Sequence, residues 1–512
     1  MTNRQNTRIK TSLIAFFGVE NSAVRSLSAI LKREGFPVQI IFLKTWRNND
    51  LSPPSIQELD LLVAALKEFG SELVGLSVPS SHYPLASLVT RHIKKHLDTP
   101  VVWGGIHPTI RPHECISIAD IICRGEGELP LLELVENMSA GISPIDIKNL
   151  WVRQGQKVKR NELRPLIGDL DTLPYRDFDG DNVCLIENNR MTRTDPVFQG
   201  AEHRIYLTRG CPFACTYCYN SSLRRIYQGL GKYWRSRSPE HVIGELKEIV
   251  KKFPRLKRIK FDDDTLPNDK EYLGEICERY REEIGVALEC LLNPELVDRE
   301  LIRILKRANL VRTQLGIQTA SERETSAYSR KLTRERLLEL AAMLRDEGLD
   351  VVYDVIADNP TSTEEDHREL FELLLQLPRP FHLFIYSLNF FPDTQLTRDF
   401  LERGIIHPSD VVGQSLKTYR QFRLGLDYPR APRDLFWCSL YVMVSKDFVP
   451  RSLLKFISRS GFFRNHPQVL RRLAEAVNLV KMAQFAWGMW KKGELTMFKI
   501  RQYSNIRGLL SQ

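Results

Sequence analysis

Short apolar runs alternate with segments of helix-type apolar spacing along most of this 512-residue chain. In the first series the apolar runs cover residues 12–19, 37–43, 72–78 and 100–105, and a helical pattern separates them. Strands separated by helices form βαβ units, in which a parallel sheet is covered on both faces. Residues 8–142 are therefore predicted to form a doubly wound, Rossmann-like α/β domain, whose ligands bind at the carboxyl ends of its strands.

The predicted strand ends of this domain are small and polar. They read SVPSS at residues 77–81, GGIHPT at 104–109 and RGEGE at 124–128. Glycine at such a position lets a ligand approach the backbone closely, but it also serves in turns that bind nothing. No G-x-G-x-x-G dinucleotide fingerprint opens the first helix, so both interpretations stay open at this point.

A second alternating series covers residues 201–410. Its six strand–helix units predict a partial (β/α)6 TIM-type barrel, in which the chemistry lies at the carboxyl ends of the strands. The three cysteines of one loop, an acidic triplet and Gln318 all follow predicted strands there. Residues 143–200, rich in Pro and Asp, are predicted to be a surface linker. Residues 411–512 are predicted to form a helical C-terminal region.

The segment RGCPFACTYCYN places Cys211, Cys215 and Cys218 within eight residues. A zinc site prefers four ligands, commonly in two C-x-x-C pairs, and a redox C-x-x-C would leave Cys211 unexplained. The chain has nine cysteines, an odd number that does not indicate a disulfide framework, so a reducing cytoplasm is the expected location. A [4Fe–4S] cluster held by three thiolates would leave one iron open to a substrate or cofactor.

The C-x-x-x-C-x-x-C spacing after a strand, with an aromatic residue before the last cysteine, resembles the cluster loop of the radical S-adenosylmethionine (radical SAM) superfamily. The resemblance covers about residues 202–410. It implies that Cys211, Cys215 and Cys218 hold a [4Fe–4S] cluster. It also implies that S-adenosylmethionine (SAM) chelates the open iron and is cleaved, after one-electron reduction, to a 5′-deoxyadenosyl radical.

Further SAM contacts are implied by the same resemblance. The segment FDDDTL falls where the family binds the methionine amino group, although each of its aspartates could instead cap a helix. The segment GIQTAS has a glutamine where many relatives have a glutamate that binds a ribose hydroxyl, and ADNPTSTEED lacks both glycines of the family's Gly-x-Pro-Gly-x-Thr element. The SAM contacts predicted in this way are Tyr217, Asp263, Asp264, Asn293 and Gln318.

A doubly wound domain before such a barrel resembles the cobalamin-binding subclass of the superfamily. This resemblance covers about residues 12–139 and implies that the strand ends hold cobalamin. The D-x-H-x-x-G motif, which supplies a histidine to cobalt in other cobalamin proteins, is absent after the first strand. His107 is then a pocket or capping residue rather than a cobalt ligand. The predicted cobalamin contacts are Ser77, Ser80, Gly104, Gly105, His107, Gly125, Glu126 and Gly127.

The two implied cofactors together indicate the chemistry. Methyl transfer to an unactivated carbon needs hydrogen abstraction and a separate methyl donor, and SAM and cobalamin supply one each. We therefore expect a C-methyltransferase that acts on a small or lipidic metabolite and takes electrons from a reductant such as flavodoxin or ferredoxin. Two alternatives stay open: a radical cyclase or oxidase of the tetrapyrrole type, and a non-catalytic, cobalamin-responsive binding protein.

The C-terminal region carries the basic character of the chain. From Val411 to Gln512 there are 18 Lys and Arg against 5 Asp and Glu, whereas the whole chain has 73 against 63. Residues 469–492 have near-helical apolar spacing with basic residues between, so they either cap the barrel or lie on a membrane surface. Nucleic acid is not an expected partner, because no binding motif accompanies the charge. The chain has no run of about 18 apolar residues and no signal-type cleavage site.

Overall fold

The computed structural model of the protein describes residues 8–45, 52–413 and 430–491. Two sheets, the first mainly and the second wholly of parallel strands, follow one another along the chain; helices cover both, and a further set of helices packs on the second. Each sheet has its own buried apolar layers, and helices of the C-terminal region share the core of the second sheet. This architecture confirms the predicted fold class.

Nine strands from the described residues form the first sheet, in the spatial order β7-β6-β5-β4-β3-β1-β2-β8-β9. Their bounds are β1 Thr11–Phe16, β2 Val38–Leu43, β3 Leu73–Ser77, β4 Val101–Gly104, β5 Ile121–Cys123, β6 Leu150–Gln154, β7 Lys157–Arg160, β8 Val183–Glu187 and β9 Arg190–Thr192. The six central strands are parallel, and antiparallel strands close both edges. The strand order reverses beside β1, which makes a crevice at the carboxyl ends of β1 and β3.

Six helices cover this sheet: α1 Ser22–Arg33, α2 Ile56–Phe69, α3 Tyr83–His96, α4 Ile106–Ile110, α5 Pro112–Ile116 and α6 Glu128–Ala140, counted within the described ranges. Helix α2 illustrates how local sequence sets an element. Ser55 and Glu58 form a reciprocal capping box at its start, and Gly70 ends it with φ of 74°. Between them, Leu59, Leu62 and Leu66 are buried against the sheet.

Residues 143–200 are not a linker, contrary to the sequence prediction. The segment supplies β6 to β9, which extend the first sheet at both edges. Strand β8 is almost wholly buried beside β2, with Ile41 opposite Cys184 and Phe42 opposite Leu185. These strands are only three to five residues long and are separated by turns. Their apolar runs are therefore too short to be distinguished from a loop in the sequence.

The second sheet has six parallel strands in the described residues, in the order β10-β13-β14-β15-β16-β17. They are β10 Glu202–Ile205, β13 Arg258–Phe261, β14 Ala287–Leu292, β15 Leu310–Gln318, β16 Asp350–Ile356 and β17 His382–Tyr386, and a short antiparallel hairpin of β11 Thr208–Arg209 and β12 Arg235–Ser236 follows β10. The two end strands do not pair with each other among these residues, so the barrel is partial, as predicted. Its helices are α7 Tyr219–Ile226, α8 Pro239–Lys252, α9 Lys270–Glu283, α10 Arg299–Arg307, α11 Glu322–Ala327, α12 Arg334–Asp346, α13 Glu364–Gln376 and α14 Gln395–Glu402.

Four further helices lie in the C-terminal region: α15 Pro432–Val444, α16 Arg451–Arg459, α17 Gly461–Asn465 and α18 Pro467–Lys491, counted over residues 430–491. Helix α15 is buried nearly all round, which agrees with an apolar content too continuous for an amphipathic surface helix. Its Tyr441 hydroxyl donates to the His367 carbonyl oxygen of α13 at 2.9 Å. The first part of the C-terminal region therefore packs on the barrel, whereas the two sequence interpretations concerned residues 469–492.

Candidate functional site

The cysteine loop begins directly after the β11 strand, at the carboxyl end of the first barrel strand. Gly210 precedes Cys211 and has φ of 87°, a conformation that L side chains rarely adopt. A Cβ at this position would lie 2.3 Å from the Tyr233 carbonyl oxygen. Only glycine allows the chain to turn here, and the turn places the cysteine loop at the carboxyl ends of the barrel strands.

Thr216, in the middle of the loop, anchors it to the barrel. Its hydroxyl donates to the Ala327 carbonyl oxygen at 2.7 Å, and its amide donates to the Tyr328 carbonyl oxygen at 3.3 Å. Its own carbonyl oxygen accepts from the Leu396 amide at 3.0 Å. Because α11 and α14 both hold this residue, the loop is fixed at its centre while the cysteine side chains on either side remain half-buried.

The three loop thiols have surroundings that oppose a redox role. Burial raises the pKa of each, and that of Cys218 reaches about 12. The Cys211 sulfur lies 3.1 Å from the Thr265 hydroxyl oxygen, whose hydrogen bond partly offsets the effect of burial on its pKa. A redox C-x-x-C needs a lowered thiol pKa, whereas a bound metal deprotonates its thiol ligands outright.

The number of thiols fits a cluster better than a single zinc ion. A structural zinc site takes four protein ligands, whereas three thiolates on a four-iron cluster leave one iron open. Cys218 also occupies the N-cap position of α7, whose dipole favours a negatively charged group. The donor set therefore fits the predicted [4Fe–4S] cluster.

The acidic triplet follows β13, and its carboxylates differ in their surroundings. The Lys260 ammonium lies 2.9 Å from Oδ1 of Asp262. Asp263 is fully buried, and its Oδ1 accepts from the amide and the hydroxyl of Thr208 at 2.6 and 2.7 Å. Burial raises the pKa of Asp263 to about 7, and its Oδ2 has no hydrogen-bond partner among the described residues. Asp263 thus ties β13 to the start of the cysteine loop.

Asp264 is the exposed member of the triplet. The Tyr219 hydroxyl donates to its Oδ1 at 3.4 Å, and its carboxylate lines a cavity together with Gly210. Its position beside the loop leaves the Asp264 carboxylate accessible to a ligand at the predicted cluster. The carboxylate of Asp263 is buried and is not accessible in this way.

The remaining predicted SAM contacts lie along the same barrel edge. Gln318 ends β15 with φ of 68°, where the pairing with β16 shifts register. Such a conformation is uncommon outside glycine and often accompanies a functional site. Asn293 follows β14, and its Oδ1 accepts from the Glu295 amide at 3.0 Å. The barrel topology therefore brings both residues to the edge that carries the cysteine loop.

Arg330 is a residue of this edge that the sequence did not single out. It donates from Nη2 to the Gly316 carbonyl oxygen at 2.9 Å and from Nη1 to the hydroxyl oxygen of Tyr217, the last of the predicted SAM contacts, at 3.5 Å. Its charge opposes the rise in the pKa of Cys215 that burial causes. No motif in the sequence marks this arginine.

A cavity of about 270 Å³ opens at the strand ends of the first domain. Its base is apolar and reaches below the strand ends, to Leu13, Gly75 and Val102. Its rim carries six of the eight predicted cobalamin contacts, namely Ser77, Gly104, Gly105, Gly125, Glu126 and Gly127. Gly75 has no side chain to fill the base, where a Cβ would lie 2.8 Å from Leu13. A slot of this volume can hold only a part of a ligand as large as cobalamin, and the glycine-lined rim leaves room for the rest to approach the backbone.

Ser80 and His107, the other two predicted contacts, do not line this cavity. Both are buried, and the Ser80 hydroxyl lies 3.1 Å from the His107 Nδ1. The His107 ring packs against Tyr83, with ring centroids 4.5 Å apart. They hold the loop after β3 against α4, and their predicted contact with cobalamin stays a prediction.

Ion pairs join the cavity rim to the cysteine loop. Arg209, two residues before Cys211, lies 3.2 Å from Glu126 and 2.6 Å from Glu128. Arg235, opposite Arg209 in the β11–β12 hairpin, lies 2.8 Å from the same Glu126 oxygen and donates to the Ile167 carbonyl oxygen at 2.6 Å. The carboxylate of Glu126, a predicted cobalamin contact, is thus bonded within a network that joins the two domains.

A second cavity, of about 250 Å³, lies between the first domain and the barrel. It is lined by residues of both, including Gly210 and Asp264, and it shares Ser22, Ser26 and Arg209 with the strand-end cavity. The two cavities therefore adjoin, and the second reaches Gly210, the residue before the first cysteine.

Comparison with known families agrees with this arrangement. The radical SAM superfamily matches residues 205–374, and the B12 binding domain matches residues 17–135. The chain is therefore a radical SAM protein with an N-terminal B12-binding domain. These two domains imply a [4Fe–4S] cluster, SAM and cobalamin as cofactors.

Individual proteins of related sequence include enzymes. An uncharacterised methyltransferase of Pyrococcus horikoshii is 29% identical over 308 residues, which are 59% of this chain and 63% of that protein. The anaerobic magnesium-protoporphyrin IX monomethyl ester cyclase of Rubrivivax gelatinosus is 25% identical over 363 residues, 68% of this chain and 61% of the cyclase. The chain thus spans about three fifths of the length of each relative.

Among solved structures, the radical SAM methyltransferase TsrM from Kitasatospora setae, with cobalamin and a [4Fe–4S] cluster bound, has a TM-score of 0.63. The match is 17% identical and covers 92% of this chain and all of that one. It establishes a common fold across both domains. No helix within the described ranges is long and apolar enough to cross a membrane.

Proposed function

We propose that this protein is a radical SAM enzyme that uses a [4Fe–4S] cluster and cobalamin to methylate an unactivated carbon of a small or lipidic metabolite. The observation that carries the proposal is the lining shared by the two cavities. Arg209 belongs to both, stands two residues before the first cysteine, and pairs with Glu126 at the rim of the strand-end cavity. One compartment would therefore serve both cofactors.

Within this compartment the chain's own residues would bind and orient. When bound, the cluster and SAM supply hydrogen abstraction, and cobalamin supplies the methyl group. Cys211, Cys215 and Cys218 would hold the cluster, and the Asp264 carboxylate would accept from the methionine ammonium of SAM. The Gln318 side chain would hydrogen-bond the ribose. The second cavity would hold the substrate carbon between the two cofactors and away from bulk water.

Ring formation is the second candidate reaction, because the cyclase relative matches 68% of this chain. We also propose that a one-electron reductant such as flavodoxin or ferredoxin supplies the electron, and that the basic C-terminal region makes peripheral contact with a membrane. That contact would bring a lipidic substrate to the site.

The proposal is tested on protein purified without oxygen and supplied with iron, sulfide, hydroxocobalamin, SAM and a chemical reductant. We expect about four irons and one cobalt per chain and formation of 5′-deoxyadenosine. Cobalt binding without any SAM cleavage would instead favour a non-catalytic, cobalamin-responsive protein. Cleavage without bound cobalt would refute the two-cofactor proposal. Product analysis with a cell extract and methyl-labelled SAM then separates methyl transfer from cyclisation.

The two candidate aspartates give opposite expectations for SAM binding. Asp264→Asn is expected to weaken SAM affinity about 10- to 100-fold, because a hydrogen bond to a charged group contributes about 1.5–3 kcal/mol. Asp263→Asn is the matched control and should leave SAM affinity within about twofold, since its carboxylate faces Thr208 and not the cavity. Equilibrium binding of SAM to the cluster-loaded protein measures both. Equal losses in the two variants would contradict the assignment.

Asp263→Asn should instead change how the stability of the protein depends on pH. The pKa of Asp263 is near 7 in the folded chain and about 3.9 when unfolded. Between those values the unfolded chain loses a proton that the folded chain keeps, so wild-type stability falls as pH rises from about 4 to 7. The variant lacks this loss, and its stability relative to wild type should be greater at pH 8 than at pH 4. Thermal unfolding midpoints at both pH values measure the difference.

A further inference from the structure

Helix α18 exposes an apolar stripe on the side opposite its buried face. Leu470 and Ala474, fully buried, fix the first turns of the helix against the barrel core. At 100° per residue, a second set of positions falls on one side of the helix axis, away from these two. We call this set the α18 stripe: Val469, Leu473, Leu479, Val480, Trp487 and Trp490, which are 40–59% exposed.

The far end of the stripe is aromatic. The Trp487 and Trp490 rings stack with their centroids 4.9 Å apart, and the Lys491 ammonium lies 5.6 Å from the Trp487 ring centroid. Tryptophan beside lysine is typical of the boundary between lipid headgroups and acyl chains, because the indole has an apolar body and a polar N–H. Nothing in the catalytic proposal accounts for two exposed tryptophans on this helix.

The charge of the region around the α18 stripe indicates which kind of partner the stripe would bind. Residues 430–491 contain 11 Lys and Arg against 3 Asp and Glu. Arg472 falls within the angular range of the stripe and Lys491 at its edge, while Glu475 lies outside it and is paired with Arg471 at 2.7 Å. Two copies of so basic a region repel each other, whereas an anionic lipid surface attracts it.

We propose that the α18 stripe is a docking surface for an anionic lipid bilayer, on which the helix lies in the plane of the interface. The helix has 25 residues and is about 37 Å long, with the apolar stripe along one side and basic residues beside it. This inference deepens the membrane contact proposed above by naming the surface and the lipid charge. It rests on that proposed contact, but it needs neither cofactor nor turnover.

The test is co-sedimentation of the full-length protein with vesicles. We expect binding to vesicles of phosphatidylcholine with phosphatidylglycerol, weaker binding to phosphatidylcholine alone, and a loss of the difference in high salt. Leu473→Gln with Trp487→Gln removes two apolar side chains without a change in charge. The partition coefficient of this double variant should fall about tenfold or more.

The matched control is Ile56→Gln with Leu88→Gln, two exposed apolar residues of the first domain that should leave binding unchanged. Sedimentation of the α18 variant equal to wild type, or no wild-type sedimentation with either vesicle, would overturn the proposal. So would a wild-type dimer in analytical ultracentrifugation that the α18 substitutions dissociate, because the stripe would then meet a second copy. Because 5′-deoxyadenosine formation is measured separately, failure of docking leaves the catalytic proposal standing.

Discussion

Replacing any one of Cys211, Cys215 and Cys218 by Ala is expected to lower bound iron from about four atoms per chain to near zero and to abolish SAM cleavage. Each thiolate would bind a different iron, so loss of one opens a second coordination position and exposes the cluster to dissociation. The other six cysteines, all within the described part of the chain, are buried. None of them is therefore available to replace a missing ligand. Iron analysis and 5′-deoxyadenosine assay after anaerobic reconstitution measure the effect.

Cobalamin binding separates loss of the cluster from loss of the fold. The strand-end cavity belongs to the first domain, so the three variants should still bind about one cobalt per chain. Cys277→Ala is the control substitution, since this cysteine lies on the buried face of α9 in the barrel core. It should cost about 1 kcal/mol of stability and keep both iron and activity. A loop variant that retains its iron and still cleaves SAM would contradict the assignment of the cluster.

The sequence was sufficient for features that are encoded locally. Alternating strand and helix patterns are set by residues within one element, so both parallel sheets were predicted. The cysteine loop was found because its three ligands lie within eight residues. Glycine-rich strand ends were found for the same reason, and six of the eight predicted contacts line the first cavity.

Contacts between distant segments were not predictable in this way. Arg209 and Glu126 are 83 residues apart, and Arg330 and Tyr217 are 113 apart, so no local pattern connects either pair. The burial of Asp263 likewise depends on how β10 and β13 pair, and three adjacent aspartates look alike in the sequence. These features arise from docking of whole elements, which a pattern along the chain does not specify.

The network around Glu126 is expected to control how firmly the cysteine loop is held against the first domain. Arg235 is 6% exposed in its side chain, and both of its terminal nitrogens bond Glu126. Glu126→Gln keeps the shape of the side chain but leaves this guanidinium buried without its counter-charge. Breaking a buried pair by removing one partner costs about 3–5 kcal/mol.

Hydrogen exchange of the β11–β12 hairpin measures this loss. The free energy of local opening should fall by about 3 kcal/mol, so that the amides of the hairpin exchange about 100-fold faster in the variant. Glu133→Gln is the matched control, on helix α6, which begins two residues after Glu126. Glu133 pairs with Arg164 at 2.9 Å but is 45% exposed, so its removal should cost about 1 kcal/mol or less. Equal exchange rates in the two variants would show that the interface is held by other contacts.

The same network has a defined dependence on pH. Burial alone would raise the pKa of Glu126, but the hydrogen bond from Arg235 and the charges of Arg209 and Arg235 hold it below its ordinary value. Because the folded pKa is the lower one, the stabilisation is complete above the unfolded value of about 4.3 and is lost as pH falls through the folded value. The difference in hydrogen-exchange protection of the hairpin between wild type and Glu126→Gln should therefore stay constant between about pH 5 and 8. It should become smaller only at more acidic pH. A difference that instead fell between pH 6 and 8 would assign the hairpin's protection to a histidine or to another group, and not to Glu126.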